Sequence, residues 1–379
     1  MEIKNKLIYY WSPALSKVAT CKAVINSVYS FNKYSKYYKS YLIDACGEWE
    51  PYTSEIYDKK INLLKLNIKY FKLILKDGYL ASRISYLLIF FFSFFSLHNI
   101  LKKNKPEYLI VHLITSLPLI LFYLFNYKTK LILRISGLPK LNFFRRTLWK
   151  ISDKFLYRVT CPTEETKINL IKQGIFNKNK IFLVRDPVIQ ISKILQKKKE
   201  SIENKHKNYI LAAGRLTRQK NQILLIKLMS NLVKKDPDII LIILGDGEKK
   251  ELIKREIKKE ELEKNIKLIG YKNNIFKYLK NCKCFISTSL WEDPGFVMIE
   301  AAATNCFVIS SDCQSGPKEF IGESRGLLFK NNDYKDLIIK FNEFEKMQVN
   351  EIFKRKISAK KHSNKYTIFS HHKELLKIF

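Results

Sequence analysis

The sequence is short of acidic residues and lacks the common metal, phosphate-loop and nucleophile motifs. Asp and Glu number 35 against 69 Lys and Arg in 379 residues, so the formal net charge is +34. This charge favours anionic partners, namely nucleic acid, an anionic lipid surface or phosphorylated substrates. The sequence contains no Ser-His-Asp order, HExxH pair, Walker loop or EF-hand loop. We therefore predict no metal site and no cofactor.

Cysteines are few and irregularly spaced. An odd number without a repeated spacing argues against a disulfide framework and for reduced core thiols in a cytosolic protein. Cys282 and Cys284 have no second pair that would complete a zinc site. The N-terminal sequence MEIKNKLIYYWSP has too short an apolar run for a signal peptide, so we predict a cytoplasmic location. The seven cysteines are at 21, 46, 161, 282, 284, 306 and 313.

One long segment has no formal charge. It runs from Ile84 to Leu101, over 18 residues, which is the lower length limit of a membrane-spanning helix. Ser, His and Asn residues interrupt its apolar character, and three lysines follow within 102–105. These features favour a helix at a bilayer surface or in the core over a membrane span.

Apolar and aromatic residues are abundant, and they occur in an alternating pattern. They make up 46% and 13% of the chain, which is typical of a globular protein. Short apolar runs alternate with helical patterns, which implies βαβ units and mainly parallel sheets. A helix is also predicted over 61–75. The predicted strands are 7–11, 41–44, 108–112, 130–135, 159–163 and 181–184, then 209–213, 239–244, 266–269, 284–288 and 307–311.

The length of the chain favours two domains. We predict an N-terminal α/β domain over 1–190 and a Lys-rich linker over 191–207. A C-terminal α/β domain follows over 208–350, and a helical segment over 351–379 ends the chain. That last segment either packs back on the first domain or runs free.

The stretch 287–300 organises the second domain. Pro294 and Gly295 break the chain after a strand, and a helical pattern begins directly after them. The first amides of a helix lack internal partners, so a strand, a loop and a helix N-terminus form an anion site. Glu292 and Glu300 flank this point, and their carboxylates suit sugar hydroxyls better than phosphate. The alternative is an ordinary βα unit with a solvated Glu.

Arg215 and Lys220 lie in the segment GRLTRQKN, after the first strand of the second domain. Arg offers a planar fork for phosphate oxygens, and Lys offers a point charge. At the carboxyl end of a strand, the two cations are placed to clamp a diphosphate. In so basic a chain, a solvated surface position is the alternative for each. Gly270 and Tyr271 end a later strand, where the main chain either faces a nucleobase or forms a plain turn.

Three histidines and one glycine-rich turn need an interpretation. His112 ends a strand of the first domain, where open α/β sheets place ligand groups, so it can donate to an anionic or hydroxyl oxygen. The alternative is a core histidine with its hydrogen bonds satisfied. His371 and His372 have no partners at metal-ligand spacing, and we predict them on the surface. The GDG sequence at 245–247 is interpreted as a tight βα turn, because it lacks the spacing of a dinucleotide fingerprint.

From residues 209 to 328 these motifs resemble the family-4 retaining glycosyltransferases of the GT-B fold. The Gly-Arg-x4-Lys segment, the GDG turn and the Glu-x7-Glu motif occur in family order, and CFVISSD and GPKE follow. An ordered set of motifs is more specific than any one of them. Across 1–190 the likeness is weaker. The resemblance implies an α/β GT-B architecture, with two Rossmann-like domains that face each other across a cleft.

The resemblance also implies roles for individual residues of the second domain. Arg215 and Lys220 would hold the diphosphate of a nucleotide-sugar donor. Glu300 would bind the ribose, and Glu292 would bind the transferred sugar. The remaining implied contacts are the amides of Gly295, Phe296 and Val297 over the sugar and phosphates, and Gly270 and Tyr271 beside the base.

In the first domain the resemblance is less complete. His112 matches the family's histidine that meets the donor sugar. The family usually has a Gly-Gly loop after the first strand, whereas residues 12–20 contain no glycine. Asp293 and Pro294 stand where the family often has Gly-Phe, and Ser136 stands where a His is common. These departures affect the first-domain contact and the choice of donor.

The predicted function is transfer of a sugar from a nucleoside-diphosphate donor to an acceptor hydroxyl, with retained anomeric configuration as the resemblance implies. Charge and the segment 84–101 favour an enzyme on the inner face of the cell membrane. We therefore expect a lipid-linked saccharide acceptor, as in bacterial surface-polysaccharide assembly, an anionic membrane surface as partner, and no nucleic-acid partner. The alternatives are a sugar epimerase or phosphorylase of the same fold and a basic nucleic-acid-binding protein. The lysines are spread along the chain rather than interleaved with stacking aromatics, which argues against the last class.

Overall fold

The computed structural model of the chain describes residues 5–15, 18–66, 79–139, 141–201 and 208–379, with the backbone alone for 79–82. The chain forms two compact units. Unit 1 contains Met1–Pro187 and Ile368–Phe379, and unit 2 contains Val188–Thr367. Each unit is built on a single parallel sheet, so the predicted α/β fold class with two Rossmann-like halves is confirmed.

The sheet of unit 1 has seven parallel strands. They are β1 (Lys6–Trp11), β2 (Tyr38–Asp44), β3 (Asn62–Lys65), β4 (Tyr108–Val111), β5 (Lys130–Arg134), β6 (Leu156–Cys161) and β7 (Ile181–Leu183). The spatial order is β3-β2-β1-β4-β5-β6-β7. The order reverses direction between β1 and β4, and ligands of open α/β sheets bind beyond the carboxyl ends of strands at such a point.

Helices connect these strands and cover both faces of the sheet. They are α1 (Ala19–Tyr34), α2 (Thr53–Asp58), α3 (Tyr79–Asn104), α4 (Ser116–Leu124), α5 (Phe143–Ser152) and α6 (Glu164–Gln173). Along β1, Ile8 and Tyr10 belong to one apolar cluster, whereas Tyr9 and Trp11 belong to another. Since successive side chains of a strand point to opposite faces, the two clusters lie on the two sides of the sheet.

Unit 2 repeats this plan with six parallel strands. They are β8 (Ile210–Ala213), β9 (Leu241–Leu244), β10 (Ile266–Gly270), β11 (Cys284–Ser287), β12 (Val308–Asp312) and β13 (Leu327–Lys330). The helices are α7 (Ile191–Lys197), α8 (Ile223–Leu232), α9 (Lys250–Lys259), α10 (Phe276–Asn281), α11 (Phe296–Ala303), α12 (Pro317–Ile321), α13 (Tyr334–Lys346) and α14 (Val349–Ser363). The strand order is β10-β9-β8-β11-β12-β13, which reverses between β8 and β11.

The structure differs from the predicted elements at several points. The stretch 61–75, predicted as a helix, contains β3 at the sheet edge, and its residues 67–75 lie outside the described part. Pairing with β2 overrides the mixed Leu and Lys pattern there. The predicted linker, 191–207, begins with the helix α7, because Ile194 is buried in the core of unit 2. Residues 202–207 are outside the description.

The C-terminal helix α15 (Ile368–Leu376) belongs to unit 1. His371 and His372 lie on it and are buried, so the prediction that they are on the surface is wrong. Ser27 Oγ and His371 Nε2 are 2.7 Å apart, and His371 Nδ1 is 2.6 Å from the Arg185 carbonyl oxygen. Burial lowers the pKa of His371 to about 3, so the ring is neutral and donates from Nδ1.

Helix α3 is apolar in composition, but one of its sides is buried and the opposite side is exposed. Within the described ranges it alone is long and apolar enough to cross a membrane, by length and composition only. Residues spaced by four positions face the core of unit 1 and are buried, namely Ser85, Ile89, Ser93, Leu97 and Leu101. The opposite side, here named the α3 outer face, exposes Ile84, Leu87, Phe91 and Phe95.

Candidate functional site

The candidate site of unit 2 lies at the carboxyl ends of β8 and β11, where the strand order reverses. The segment 214–220 follows β8, and the segment 288–295 follows β11. Because β8 and β11 are adjacent in the sheet, these two loops leave it side by side. All predicted site residues except His112 belong to unit 2.

Lys220 and Glu292 form an ion pair at the centre of this site. The Lys220 ammonium donates to Glu292 Oε1, and the Ser289 hydroxyl donates to the same oxygen at 2.6 Å. The two charged side chains are only 19% and 9% exposed, respectively. Neither is therefore a solvated surface residue, which removes the alternative interpretation for both. Among the described residues no donor to Glu292 Oε2 is found, so this oxygen can accept from a ligand hydroxyl.

Hydrogen bonds fasten the two loops to each other. The Leu290 amide donates to the Gln219 carbonyl oxygen, and the Gln219 side-chain amide donates to the Trp291 carbonyl oxygen, each at 2.8 Å. The Thr288 hydroxyl donates to the Lys220 carbonyl oxygen at 2.9 Å. The ion pair is consequently held by main-chain contacts on both sides, which fixes its geometry before a ligand arrives.

Arg215 differs from Lys220 in its surroundings. Its side chain is exposed, and its guanidinium makes no ion pair with any residue that the structure describes. Its carbonyl oxygen accepts from the Gln222 side-chain amide at 3.0 Å, which holds the main chain of this turn. The five guanidinium donors are thus available to an anion, whereas the charge of Lys220 is shared with Glu292.

Helix α11 begins directly after this loop. Gly295 precedes the helix with φ +95°, a left-handed conformation that a glycine adopts without strain. The first amides of the helix, beginning with Phe296 and Val297, have no acceptor within α11. Glu300 lies one turn further and is only 4% exposed, so it too is not a solvated Glu. An anion at this N-terminus would be stabilised by the amides and the helix dipole.

Two glycines allow main chains to approach closely around the site. A Cβ on Gly245 would lie 1.8 Å from the Gly214 carbonyl oxygen, so the turn after β9 packs directly on the turn after β8. A Cβ on Gly316 would lie 2.5 Å from the Pro294 carbonyl oxygen. The GDG sequence is therefore a tight turn that supports the Arg215 segment, in line with its interpretation from sequence.

Gly270 and Tyr271 lie at the same edge of the sheet, at the end of β10. The Gly270 carbonyl oxygen accepts from the Gly245 amide at 2.9 Å, so it is already paired. The Tyr271 side chain is exposed. Since β10 is two strands away from β8, this position is about 10 Å from the diphosphate candidates along the sheet edge.

His112 directly follows β4 in unit 1, beside β1. Its Nδ1 is buried and has no hydrogen-bond partner among the described residues, as is the case for the Ser12 hydroxyl after β1. Burial lowers the pKa of His112 well below its usual range, and the nearby charge of Arg134 acts in the same direction. The ring is consequently neutral, and it is not the satisfied core histidine of the alternative interpretation.

Sequence reasoning missed the residues that position the site. Ser289 binds Glu292, the Ser311 hydroxyl donates to the Ser289 carbonyl oxygen at 2.5 Å, and Gln219 joins the two loops. The serines follow apolar strand residues at the carboxyl ends of β11 and β12, and this position is the sequence feature from which they could have been predicted as site residues. In the described ranges no group of three His, Cys, Asp or Glu side chains is arranged to hold a metal.

The chain is similar to known proteins in sequence and in structure. Residues 193–363 match the family model described as glycosyl transferases group 1. A glycosyltransferase of Methanocaldococcus jannaschii is 32% identical over 244 residues, which cover 59% of this chain and 60% of that protein. The N-acetylgalactosamine-N,N'-diacetylbacillosaminyl-diphospho-undecaprenol 4-alpha-N-acetylgalactosaminyltransferase of Campylobacter jejuni is 29% identical over 234 residues, again 59% and 60%. The match thus spans about three-fifths of the length of these curated relatives.

The fold is similar over nearly the whole chain. The crystal structure of a glycosyltransferase from Rickettsia africae superposes with a TM-score of 0.79 at 16% identity, over 99% of this chain and 97% of that one. The residues that the family model matches carry the ion pair and α11, and each of the two units is built on a parallel sheet, as the sequence motifs imply. Residues 193–363 are thus similar to the group 1 glycosyl transferases, and the two units have the GT-B fold of solved glycosyltransferase structures.

Proposed function

We propose that this chain is a retaining glycosyltransferase that moves a sugar from a nucleoside-diphosphate donor to a hydroxyl of a lipid-linked saccharide. The observation that carries the proposal is the Lys220–Glu292 ion pair beside the N-terminus of α11. It puts one cation, one carboxylate with a free oxygen and a set of helix amides at one point of the sheet edge. These are the groups that a sugar attached to a diphosphate requires.

The proposed donor lies along the carboxyl edge of the sheet of unit 2. Its base is beside Gly270 and Tyr271 at β10, and its ribose binds Glu300. Its diphosphate lies on Arg215, Lys220 and the amides of Gly295, Phe296 and Val297. The transferred sugar gives a hydroxyl hydrogen bond to Glu292 Oε2. The distance of about 10 Å from β10 to β8 suits a nucleoside between base and phosphate.

The chemical step in this proposal breaks the bond between the anomeric carbon and the diphosphate oxygen. The acceptor hydroxyl forms the new bond to that carbon on the same face of the sugar, and its proton passes to the leaving diphosphate. Negative charge grows on the diphosphate as the bond breaks. Arg215, Lys220 and the α11 amides stabilise that charge, which lowers the barrier.

The contact of His112 with the donor sugar remains a prediction. Its neutral ring carries no charge for a phosphate, since burial lowers its pKa. A neutral imidazole can donate one hydrogen bond and accept another. We therefore propose a sugar hydroxyl, rather than the diphosphate, as its ligand.

A membrane surface is the proposed location of the acceptor. The Campylobacter jejuni relative acts on a diphospho-undecaprenol saccharide according to its name. Unit 1 of this chain has an exposed apolar and basic surface that suits a membrane. Phe143 and Phe144 are 78% and 80% exposed, and Arg145 and Arg146 follow them. Exposed aromatics with adjacent cations suit the interface of an anionic bilayer, and the α3 outer face adds further apolar area. We propose peripheral binding at the inner face of the cell membrane.

Donor binding and turnover test the proposal. Thermal-shift screening against nucleoside diphosphates is expected to identify one base, because a ligand at 100 times its dissociation constant adds about 2.7 kcal/mol of stability. The matching nucleotide-sugar should then release its diphosphate only when a lipid-diphosphate saccharide is present. Release that requires inorganic phosphate instead would indicate a phosphorylase, and isomerisation without release would indicate an epimerase. No stabilisation by any nucleoside diphosphate would contradict the proposal.

The membrane part has a separate test. Sedimentation with anionic vesicles and with zwitterionic vesicles at low salt should show binding to the anionic vesicles alone. A protein that remains in the supernatant with both would remove the membrane location without affecting the donor assignment.

A further inference from the structure

Trp291 is exposed, unlike the other tryptophans of the chain. Trp11, Trp49 and Trp149 are buried, whereas Trp291 is 48% exposed. Its indole takes part in no ring stacking, cation–π contact or hydrogen bond with any other residue of the described chain, and it belongs to none of the apolar clusters. A large aromatic surface in water is unfavourable, so this exposure requires an explanation.

The main chain of Trp291 is fixed, although its side chain is free of partners. The Gln219 side-chain amide donates to the Trp291 carbonyl oxygen at 2.8 Å. The preceding residue, Leu290, donates its amide to Gln219 and accepts from the Asn331 side-chain amide at 3.0 Å. Trp291 also forms a parallel bridge with Gln314. The indole is therefore presented to solvent by a backbone that is held on both sides.

Trp291 and Glu292 are consecutive residues with opposite surroundings. The bridge to Gln314 shows that the backbone is extended here, and in extended chain successive side chains point to opposite sides. Glu292 turns inward to Lys220 and Ser289, whereas Trp291 turns outward. The indole thus lies on the outer side of the loop whose inner side carries Glu292, and the Cα atoms of the two residues are only about 3.8 Å apart.

We propose that the indole of Trp291 is a platform for a sugar ring of the acceptor. This inference rests on the proposed function. An acceptor hydroxyl must reach the sugar held at Glu292, so the saccharide that carries the hydroxyl passes beside the loop 288–295. One face of a pyranose ring is lined by C–H groups, and such a face packs well on an exposed, rigid aromatic ring. Trp291 would then determine which acceptor saccharides are used.

Fluorescence gives a test that does not depend on turnover. Because the other tryptophans are buried, the difference between the wild type and W291F isolates the emission of an exposed indole. A short-prenyl N-acetylglucosaminyl diphosphate, added with the nucleoside diphosphate from the thermal-shift screen, is the first probe, followed by disaccharyl diphosphates on the same tail. At least one should protect Trp291 from acrylamide quenching, whereas the nucleoside diphosphate alone should not. Unchanged quenching with every probe that the enzyme glycosylates would overturn the proposal.

Kinetics provide the second readout. W291A is expected to raise the KM for the acceptor about tenfold, as for the loss of about 1.4 kcal/mol of aromatic contact. The KM for the nucleotide-sugar should stay within about twofold of the wild type, and W291F should lie near the wild type. The matched control is F353A, which removes an exposed aromatic elsewhere in unit 2. A donor KM that rises as much as the acceptor KM, or an unchanged acceptor KM, would refute the role of Trp291.

The two proposals fail in different ways. If the wild type binds no nucleoside diphosphate, the proposed function is wrong and the acceptor role of Trp291 falls with it. If the wild type transfers a sugar but W291A does so with an unaltered acceptor KM, only the inference about Trp291 is wrong.

Discussion

Replacement of Lys220 by Met is predicted to destabilise unit 2 and to abolish donor binding. The substitution keeps most of the side-chain volume and removes the charge. Glu292 would then remain almost buried with Ser289 as its partner, because its side chain is only 9% exposed. Removing one partner of a buried pair costs about 3–5 kcal/mol. Since Lys220 itself retains some exposure, we expect K220M to lose about 2–3 kcal/mol in the free energy of unfolding.

Adding a second substitution, E292Q, separates the effect of K220M on stability from its effect on donor binding. In K220M/E292Q no charge is left unpaired, so the double variant should regain most of the lost stability, as shape-matched replacements of ion pairs often do. It should nevertheless bind no nucleoside diphosphate, because the cation is absent. Matched K220M and E292Q single variants complete the double-mutant cycle.

Thermal unfolding followed by circular dichroism measures these effects. For a domain of the size of unit 2, 1 kcal/mol corresponds to about 2–4 °C in Tm, so K220M should unfold roughly 4–12 °C below the wild type. A nucleoside diphosphate should raise the Tm of the wild type and leave that of both Lys220 variants unchanged. The reasoning would be refuted by a K220M variant with wild-type Tm and wild-type nucleotide binding.

Three further predictions concern the turn after β9, a buried carboxyl and the membrane surface. G245A should cost at least 3 kcal/mol in urea unfolding or prevent folding, because its Cβ would collide with the backbone after β8. G174A, which also has a positive φ but no atom within 4 Å of the added Cβ, should cost about 1 kcal/mol. Burial raises the pKa of the Glu48 carboxyl from 4.5 to about 8. The stability that the protonated carboxyl contributes to the folded state is therefore complete below pH 4.5 and is lost as the pH rises through 8. Because a glutamine does not titrate, the free energy of unfolding of E48Q should gain on the order of 3–5 kcal/mol relative to the wild type between about pH 5 and pH 9. An E48Q difference that does not change with pH would contradict this. F143S/F144S should weaken sedimentation with anionic vesicles at least tenfold, whereas F353A should not.

The βα unit at 284–303 was predictable because its chemistry is local. An apolar strand, the Pro294–Gly295 break and a helical pattern occur in direct succession, and each follows from residue type. The position of Glu292 and Glu300 on either side of the helix start also follows from spacing alone. The structure adds that both carboxylates are buried, which spacing cannot reveal.

The pairing of Lys220 with Glu292 was not predictable from either segment. The two residues are 72 positions apart, and they meet because β8 and β11 are neighbours in a sheet whose order reverses there. The sequence suggested Lys220 as a phosphate ligand alone. Its partnership with a carboxylate, and the hydroxyl of Ser289 on the same oxygen, required the strand order.

Burial of polar residues near the end of the chain was also missed. His371 and His372 have no partners at metal-ligand spacing in the sequence and are therefore predicted on the surface. In the structure α15 packs on unit 1, where His371 bonds to Ser27 and to the Arg185 carbonyl group. Likewise the sequence predicts a helix where β3 lies, because a strand of only four residues, NLLK, has no clear period of its own.

The most direct test of the account is a transfer reaction followed by nuclear magnetic resonance. The nucleotide-sugar selected by thermal shift is incubated with a lipid-diphosphate saccharide and the wild-type enzyme, with E292Q as control. The account predicts a new glycosidic bond with the same anomeric configuration as the donor, formed only when the acceptor is present, and a large loss of rate in E292Q. A product with inverted configuration, or full activity in E292Q, would contradict it.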